Sequence, residues 1–261
     1  MSIDIRLATP DEFRALSGVV ANALLFPQRD DASWTSVAEP SWHESISYGA
    51  WDGAQCVGNV SHFVVDTTVP GGRRVATGAI SRVGVLATHR RRGIASGLME
   101  RLVGDAVERD LTLMSLRASE AVIYERYGFG MAGQFIEAKI DPVRARPVSG
   151  AVAGGSIGFV ARDRIFDTVT PIYDASLHRR PGLVTRPHSW WARYFEDALA
   201  IDKSSYVVVH TAAGGEHTGY AHYGVEWNHD APGGPSGTGE IHDVTAIDVA
   251  RQMSEQALEQ T

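Results

Sequence analysis

The chain sets three arginines and a glycine, Arg90-Arg91-Arg92-Gly93, inside the stretch "VGVLATHRRRGIASGLME" (83–100). Alternating valines before them read as a strand, and an amphipathic run follows. A strand that feeds directly into a helix leaves backbone N–H groups free at the helix N-terminus. With the helix dipole, those groups form an anion site. The spacing Arg90-x-x-Gly93-x-Ala95 keeps side chains small where a backbone must approach a ligand, and it brings positive charge alongside. Cations at a helix N-terminus oppose the dipole by about 0.3–1 kcal/mol each. A merely solvated patch is therefore a poor account of them, and the pattern suits a polyphosphate.

Such a seam needs a sheet and a helix to hold it. "IDIRLA" (3–8) alternates as a short strand, and Thr9, Pro10 and Glu12 give a helix start for "TPDEFRALSGVVANAL". Residues 27–45 are polar and irregular, with Trp34 and Trp42 embedded. "SYGAWD" (47–52) and "CVGNVSHFVVDTTV" (56–69) read as paired strands, "PGG" (70–72) as a turn, and "RRVATGAISRVGV" (73–85) as the returning strand. From Ile94 the apolar residues fall at 94/95, 98/99, 102/103 and 106/107, the rhythm of an amphipathic helix. "LTLMSLRA" (111–118) is a strand, "SEAVIYERYGFG" (119–130) a short helix ending at Gly128, and "GQFIEAKI" (133–140) a further strand. Residues 141–154 resemble a linker. Beyond it, strands are expected at 156–162, 204–211, 218–227 and 239–247. Helical segments are expected at 163–169, 171–178, 188–199 and in the final "DVARQMSEQALEQ". A meander followed by strand–helix–strand is a mixed α/β sheet.

The chain has 261 residues, 44% hydrophobic and 21% charged, enough for one large or two modest domains. Its net charge of −7 argues against a general nucleic-acid binder and is compatible with a cationic ligand. Cys56 is the only cysteine, so no intrachain disulfide forms, and a reducing, cytoplasmic location is expected. The start "MSIDIRLATPDEF" has neither basic leader nor long apolar run, so no signal peptide and no membrane span are expected. The ten histidines are scattered without ligand spacing, and no metal site is expected.

The arginine stretch resembles the coenzyme A loop of the GNAT acetyltransferase superfamily, whose motif is Arg/Gln-x-x-Gly-x-Gly/Ala. Together "TVPGGRRV" (68–75), "VGVLATHRRRGI" (83–94), "ASEAVIYERYGFG" (118–130) and "IYDASLHRRPGLVTRPHSWW" (172–191) resemble the Eis (enhanced intracellular survival) family up to about Ile247. The resemblance implies an N-acetyltransferase that moves acetyl from acetyl-CoA, a co-substrate, to a primary amine of a cationic acceptor, aminoglycoside-like or lysine-like. It implies that Val83, Gly84 and Val85 offer backbone groups to the acetyl-pantetheine arm. Arg91, Arg92, Gly93, Ile94, Ala95 and Ser96 match the loop, and Ser119 and Glu120 match a second cofactor contact. Tyr124 falls where the family has its general acid. Tyr127 lies on roughly the same helix face, and spacing alone does not separate the two. Ala87 replaces a proline common in the family. Asp30, Asp31 and Trp34 are candidates for the acceptor cleft, and His222 and Trp227 for a pocket wall.

"ISRVGVLATHRRRGIASGLMERL" (80–102) and "IHDVTAIDVARQMSEQALEQ" (241–260) share an Ile-x-x-Val strand leading into a helix, but the second has no glycine loop. The expected fold class is therefore α/β, with tandem GNAT-like mixed sheets and flanking helices. Residues 1–145 form the acetyltransferase domain with the acetyl-CoA loop. Residues 146–261 form a second, degenerate lobe that is incomplete. Eis relatives continue into a sterol-carrier-like domain, whose terminal carboxylate is their general base and which is expected to be absent here. The family's hexamers make a homo-oligomer an expectation. The alternative reading is a non-catalytic or weakly active CoA-binding chain.

Overall fold

Thr9 and Glu12 start the first helix in the way their spacing predicts. The Thr9 N–H donates to the Glu12 carboxylate at 3.0 Å, and one 3-10 turn, Pro10–Glu12, leads into α1 (Phe13–Leu24). Hydrogen bonds from the Arg6 guanidinium hold the same carboxyl down to about 2. The computed structural model describes residues 3–28, 30–118, 120–133, 154–192, 205–228 and 236–246. The expected strand at 133–140 beyond Gly133, the linker before Gly154 and the final helix lie outside them, as do Ser119 and the part of the 188–199 segment beyond Ala192.

Five strands, β1 (Asp4–Leu7), β2 (Ile46–Asp52), β3 (Gln55–Thr68), β4 (Arg74–Val85) and β5 (Leu113–Leu116), form one sheet in sequence order. The first four pair antiparallel, and β5 returns parallel to β4 after the crossover helix α4 (Ile94–Glu108). Gly71 and Gly72 make the β3–β4 turn at φ 90° and 75°, a region that L side chains avoid.

The segment read as irregular is helical. It contains α2 (Asp31–Ser33), a π-helical turn (Trp34–Ala38) and α3 (Glu39–His43). The reason is apolar. Trp34, Ala38 and Trp42 are buried with Phe13, Leu16 and Val19 of α1. Trp34 is thus part of the core, and Asp31 is engaged by Arg14 at 2.6 Å.

Alternation along β2 separates the two faces of the sheet. Tyr48 and Ala50 join Ile94, Leu98, Met99 and Leu102 of α4, whereas a Cβ on Gly49 would meet Leu16 of α1. Cys56 is buried on the α1 side, and burial pushes its thiol up to about 11. Beyond His62, β3 has outrun β2, and its exposed edge is paired by residues 182–185. Thr68 N–H donates to Leu183 O, Gly182 N–H to Thr68 O and Thr185 N–H to Asp66 O, each at 2.8 Å. This pairing caps an edge that would otherwise recruit another strand.

Contacts divide the chain into two compact units, Met1–Ala132 with Pro181–Glu196, and Gly133–Arg180 with Asp197–Thr261. In the first unit Glu44 accepts hydrogen bonds from the backbone and hydroxyl of Ser189, at the start of α6 (His188–Trp191). In the second, β6 (Ser156–Phe159), β7 (Ser205–Thr211), β8 (His217–Asn228) and β9 (Ser236–Ala246) form an antiparallel sheet in that order. The two helical segments expected around Pro171 are one helix, α5 (Ile165–Ser176). Burial of Ile165, Val169, Ile172 and Tyr173 carries it through the proline. His222 is buried and its Nε2 lies 2.6 Å from Ser205 Oγ, so it serves the core of this sheet.

One buried polar node ties α4 to the first sheet. Asp105 Oδ1 accepts from Tyr48 Oη at 2.9 Å, its Oδ2 accepts from Arg109 Nε at 2.7 Å, and His62 Nε2 lies 3.0 Å from the same Oδ2. Burial pushes the Tyr48 phenol up to about 12 and lowers His62. Burial also acts to raise Asp105, but the hydrogen bonds from Arg109, Tyr48 and His62 outweigh it and leave the carboxyl below its ordinary value. A lowered histidine binds its proton more readily in the unfolded chain. Its contribution to stability is whole above an unfolded value of about 6.5 and is lost as pH falls. The thermal midpoint should therefore fall between pH 7 and pH 5, and His62→Gln should flatten that slope. Scanning calorimetry across this range checks it. Equal slopes in the two proteins would place the acid sensitivity elsewhere.

Candidate active site

β4 and β5 pair only over Thr77–Ile80 and Leu113–Leu116. β4 then runs on to Val85 while β5 has ended, which leaves the β5-facing edge of residues 81–85 outside that ladder. At the same point β4 is irregular toward β3. Asn59 pairs with Gly84 and Ser61 with Ser81, so Arg82 and Val83 oppose the single residue Val60. This is a β-bulge, and Arg82 adopts φ 56° within it. Val83 and Val85 pack toward the α4 core, whereas a Cβ on Gly84 would come 3.1 Å from Ala23 of α1.

The arginine loop leaves the end of this strand. A 3-10 turn, Ala87–His89, leads to extended Arg90, and then Arg91 and Gly93 both adopt left-handed backbones, at φ 62° and 76°. Left-handed residues set into such a loop turn successive N–H groups toward one concavity, the geometry that binds oxyanions. Gly93 is the N-cap of α4, no side chain caps the helix there, and a Cβ on Gly93 would meet nothing within 4 Å. The first backbone bond of α4 runs from Gly97 N–H to Gly93 O, so the N–H groups of Ile94, Ala95 and Ser96 precede the helical ladder. The Ile94 side chain is buried, and a Cβ on Gly58 would come 2.9 Å from it. That close packing fixes the helix end on β3.

Charge at the loop is partly held in place. Arg92 donates to Asp52 Oδ2 at 3.3 Å, and His89 Nε2 lies 3.4 Å from the same oxygen. Among the described residues, Arg90 and Arg91 have no ion-pair partner, and both are exposed. The residues fit a diphosphate on three counts: open space over a glycine, uncapped amides and uncommitted guanidinium groups. No group of three His, Cys, Asp or Glu among the described residues could hold a metal.

Tyr124 and Tyr127 follow β5. The expected helix over 119–130 is instead two 3-10 turns, Ala121–Ile123 and Glu125–Tyr127, closed by Gly128 at φ 84°. Both tyrosines pack against the α4 core, but they differ at the hydroxyl. Tyr127 Oη lies 3.2 Å from Ser96 Oγ, at the head of α4. No hydrogen bond engages the Tyr124 hydroxyl among the described residues. Its ring stands edge-on to Phe129 at 6.3 Å, and burial, with Tyr127 nearby, raises its pKa. A phenol so placed keeps its proton at neutral pH and has that proton to give. Glu120 is exposed, and its carbonyl accepts the Ile123 N–H at 3.3 Å.

Sequence reasoning missed the residues that shape the bulge. Asn59 Nδ2 donates to Arg82 O at 2.7 Å. The Arg82 guanidinium donates to Ser45 Oγ at 2.8 Å and Ser41 Oγ at 2.6 Å, and lies 4.1 Å over the Trp42 ring. A polar residue at 59 and an arginine at 82, both inside otherwise apolar strands, were the available signal.

The family pattern described as Acetyltransferase (GNAT) domain matches residues 4–132, and a second pattern of that description matches 182–254. The chain is 32% identical over 260 residues to an Uncharacterized N-acetyltransferase of Streptomyces griseus subsp. griseus, covering 97% of this chain and 62% of that one. It is 27% identical over 201 residues to N-acetyltransferase Eis of Mycobacterium tuberculosis, covering 74% of this chain and 48% of that one. The crystal structure of Eis1 from Mycobacterium abscessus superposes with a TM-score of 0.72 at 28% identity, over 95% of this chain and 60% of that one. The chain thus spans less than two thirds of the length of these curated relatives. No helix among the described residues is long and apolar enough to cross a membrane. Both halves match the same domain description, and nearly the whole length aligns with the Streptomyces N-acetyltransferase and with the Eis1 structure: the chain belongs to the Eis-like GNAT acetyltransferases.

Proposed function

We propose that the first unit transfers acetyl from acetyl-CoA to a primary amine of a cationic acceptor, aminoglycoside-like or lysine-like, in the cytoplasm. The observation that carries this reading is the left-handed Arg91/Gly93 loop at the head of α4, beside the open end of the β4–β5 pair. Acetyl-CoA supplies an activated thioester. The amides from Gly93 to Ser96 and the Arg91 and Arg92 guanidinium groups would hold its diphosphate. The backbone of Val83–Val85 would align its pantetheine arm, and Ser119 and Glu120 would supply the second cofactor contact that the Eis resemblance implies. The free amine attacks the thioester carbonyl and forms the new C–N bond, the C–S bond breaks, Tyr124 gives its proton to the departing thiolate, and the proton shed by the amine nitrogen passes to solvent, from which the Tyr124 phenolate is reprotonated. The acceptor class rests on the Eis resemblance and on the net charge of −7.

The test is calorimetry with acetyl-CoA, followed by thiol release in the presence of polyamines, aminoglycosides and lysine peptides. Binding with amine-dependent thiol release is the expected result. Binding without release would favour a CoA-binding chain that does not catalyse. Absence of binding would overturn both readings.

A further inference from the structure

We propose that Asn59 is a positioning residue for the acetyl thioester, locking the β4 bulge that aims the backbone of Val83–Val85. The proposal rests on the acetyltransferase reading above. A bulge takes backbone groups out of the ladder, and each must find a partner or cost stability. The carbonyl of Arg82 finds Asn59 Nδ2 at 2.7 Å. Asn59 is fully buried on β3, opposite Gly84, the middle residue of the strand that would meet the pantetheine arm. The Arg82 side chain braces the same point from the other direction, through Ser41, Ser45 and the Trp42 ring. Main chain and side chain of one left-handed residue are therefore both anchored.

The second observation is a cost. The other amide atom of Asn59, Oδ1, is buried with no hydrogen-bond partner among the described residues. A residue kept only for packing would not leave a buried carbonyl unsatisfied, since apolar side chains of similar size carry no such penalty. Its retention has an explanation if the one bond it does make sets the geometry of the bulge. The diphosphate loop is held separately, by Asp52 on Arg92 and by Ile94 beneath Gly58. Loss of the Asn59 bond should thus disturb the thioester end of the site and leave the phosphate end intact.

The experiment is difference infrared spectroscopy of bound acetyl-CoA labelled with carbon-13 at the thioester carbonyl, together with kinetics and CoA titration. Two variants are compared with the natural chain, and circular dichroism checks that each folds. Asn59→Leu removes the donor. Asn59→Asp keeps the shape and donates only when its buried carboxyl is protonated. In the natural chain the carbonyl stretch should lie below that of free acetyl-CoA, because a backbone N–H donated to the oxygen weakens the bond. In Asn59→Leu the stretch should return toward the free value and kcat should fall by up to about 10²-fold, as a misplacement near 1 Å does. CoA affinity should stay at the wild-type value. In Asn59→Asp the stretch should move back toward that of the natural chain as pH falls, a recovery that Asn59→Leu lacks and that a packing role does not produce. Identical stretches in all three proteins, or equal losses of CoA and acetyl-CoA affinity, would overturn the role of Asn59. Failure of the natural chain to bind acetyl-CoA would overturn the acetyltransferase reading, and this one with it. If Asn59→Leu does not fold, the pH-dependent recovery in Asn59→Asp decides alone.

Discussion

Replacing Tyr124 by phenylalanine is expected to lower turnover by roughly 10²–10⁴-fold, the range that a positioned general acid supplies. The substitution keeps the ring, so the edge-on contact with Phe129 and the packing against the α4 core persist. Only the hydroxyl is lost, and with it the proton. Because the Tyr124 hydroxyl makes no hydrogen bond among the described residues, its removal strands no buried partner, and acetyl-CoA affinity should stay close to that of the natural chain. Tyr127→Phe makes the contrast. It deletes the bond to Ser96 at the head of α4, so its effect should appear first in cofactor affinity. Thiol-release kinetics and calorimetry on both variants separate the two roles. Normal turnover in Tyr124→Phe alongside a large fall in kcat in Tyr127→Phe would move the general acid to Tyr127. The raised pKa of Tyr124 adds a signature. Its proton is retained through neutral pH, so the acid limb of the rate profile should not belong to this residue. A primary ammonium near 10.4 is only about 0.04% deprotonated at pH 7, so the rate should rise with pH as free amine appears.

Sequence patterning reaches some of these features and stops short of others for physical reasons. The Thr9/Glu12 helix start, the glycine turn at 70–72 and the α4 stripe are local signals, and each stands where its chemistry requires. Gly93 belongs with them, since a left-handed N-cap on an anion loop all but demands glycine. The bulge at Arg82 is different. It inserts one extra residue, and although Asn59 and Arg82 mark the place as unusual, a polar residue in an apolar strand does not say that the alternation slips there. Asn59 and His62 are polar residues inside a strand, yet both are fully buried, because helices cover both faces of β3. Trp34 and Trp42 lay in a segment with no clear period, so burial, not periodicity, made it helical. The two tyrosines were inseparable by spacing. What distinguishes them is a contact with Ser96, 31 residues away along the chain, which no local pattern encodes.

Gly93→Trp should abolish measurable acetyl-CoA binding while leaving the first unit folded. Gly93 is exposed at φ 76°, so a side chain there carries backbone strain on the order of 1–3 kcal/mol, which a unit of this size can absorb. No heavy atom lies within 4 Å of the added Cβ, so the indole enters space that the folded chain leaves open rather than displacing core atoms. That same space lies over the uncapped amides of α4, where a diphosphate must approach. Losing two charge-assisted hydrogen bonds at about 1.5–3 kcal/mol each weakens binding by at least about 10²-fold. Gly93→Asn is the matched control. Asparagine tolerates the left-handed region, and its short side chain obstructs less, so binding should weaken only in part. Calorimetry with acetyl-CoA, and circular dichroism to confirm the fold, read both variants. Undiminished affinity in Gly93→Trp would remove the diphosphate from the head of α4 and leave the three arginines without an assigned ligand. Equal loss in Gly93→Asn and Gly93→Trp would instead show that backbone strain at residue 93, and not occlusion, controls the loop.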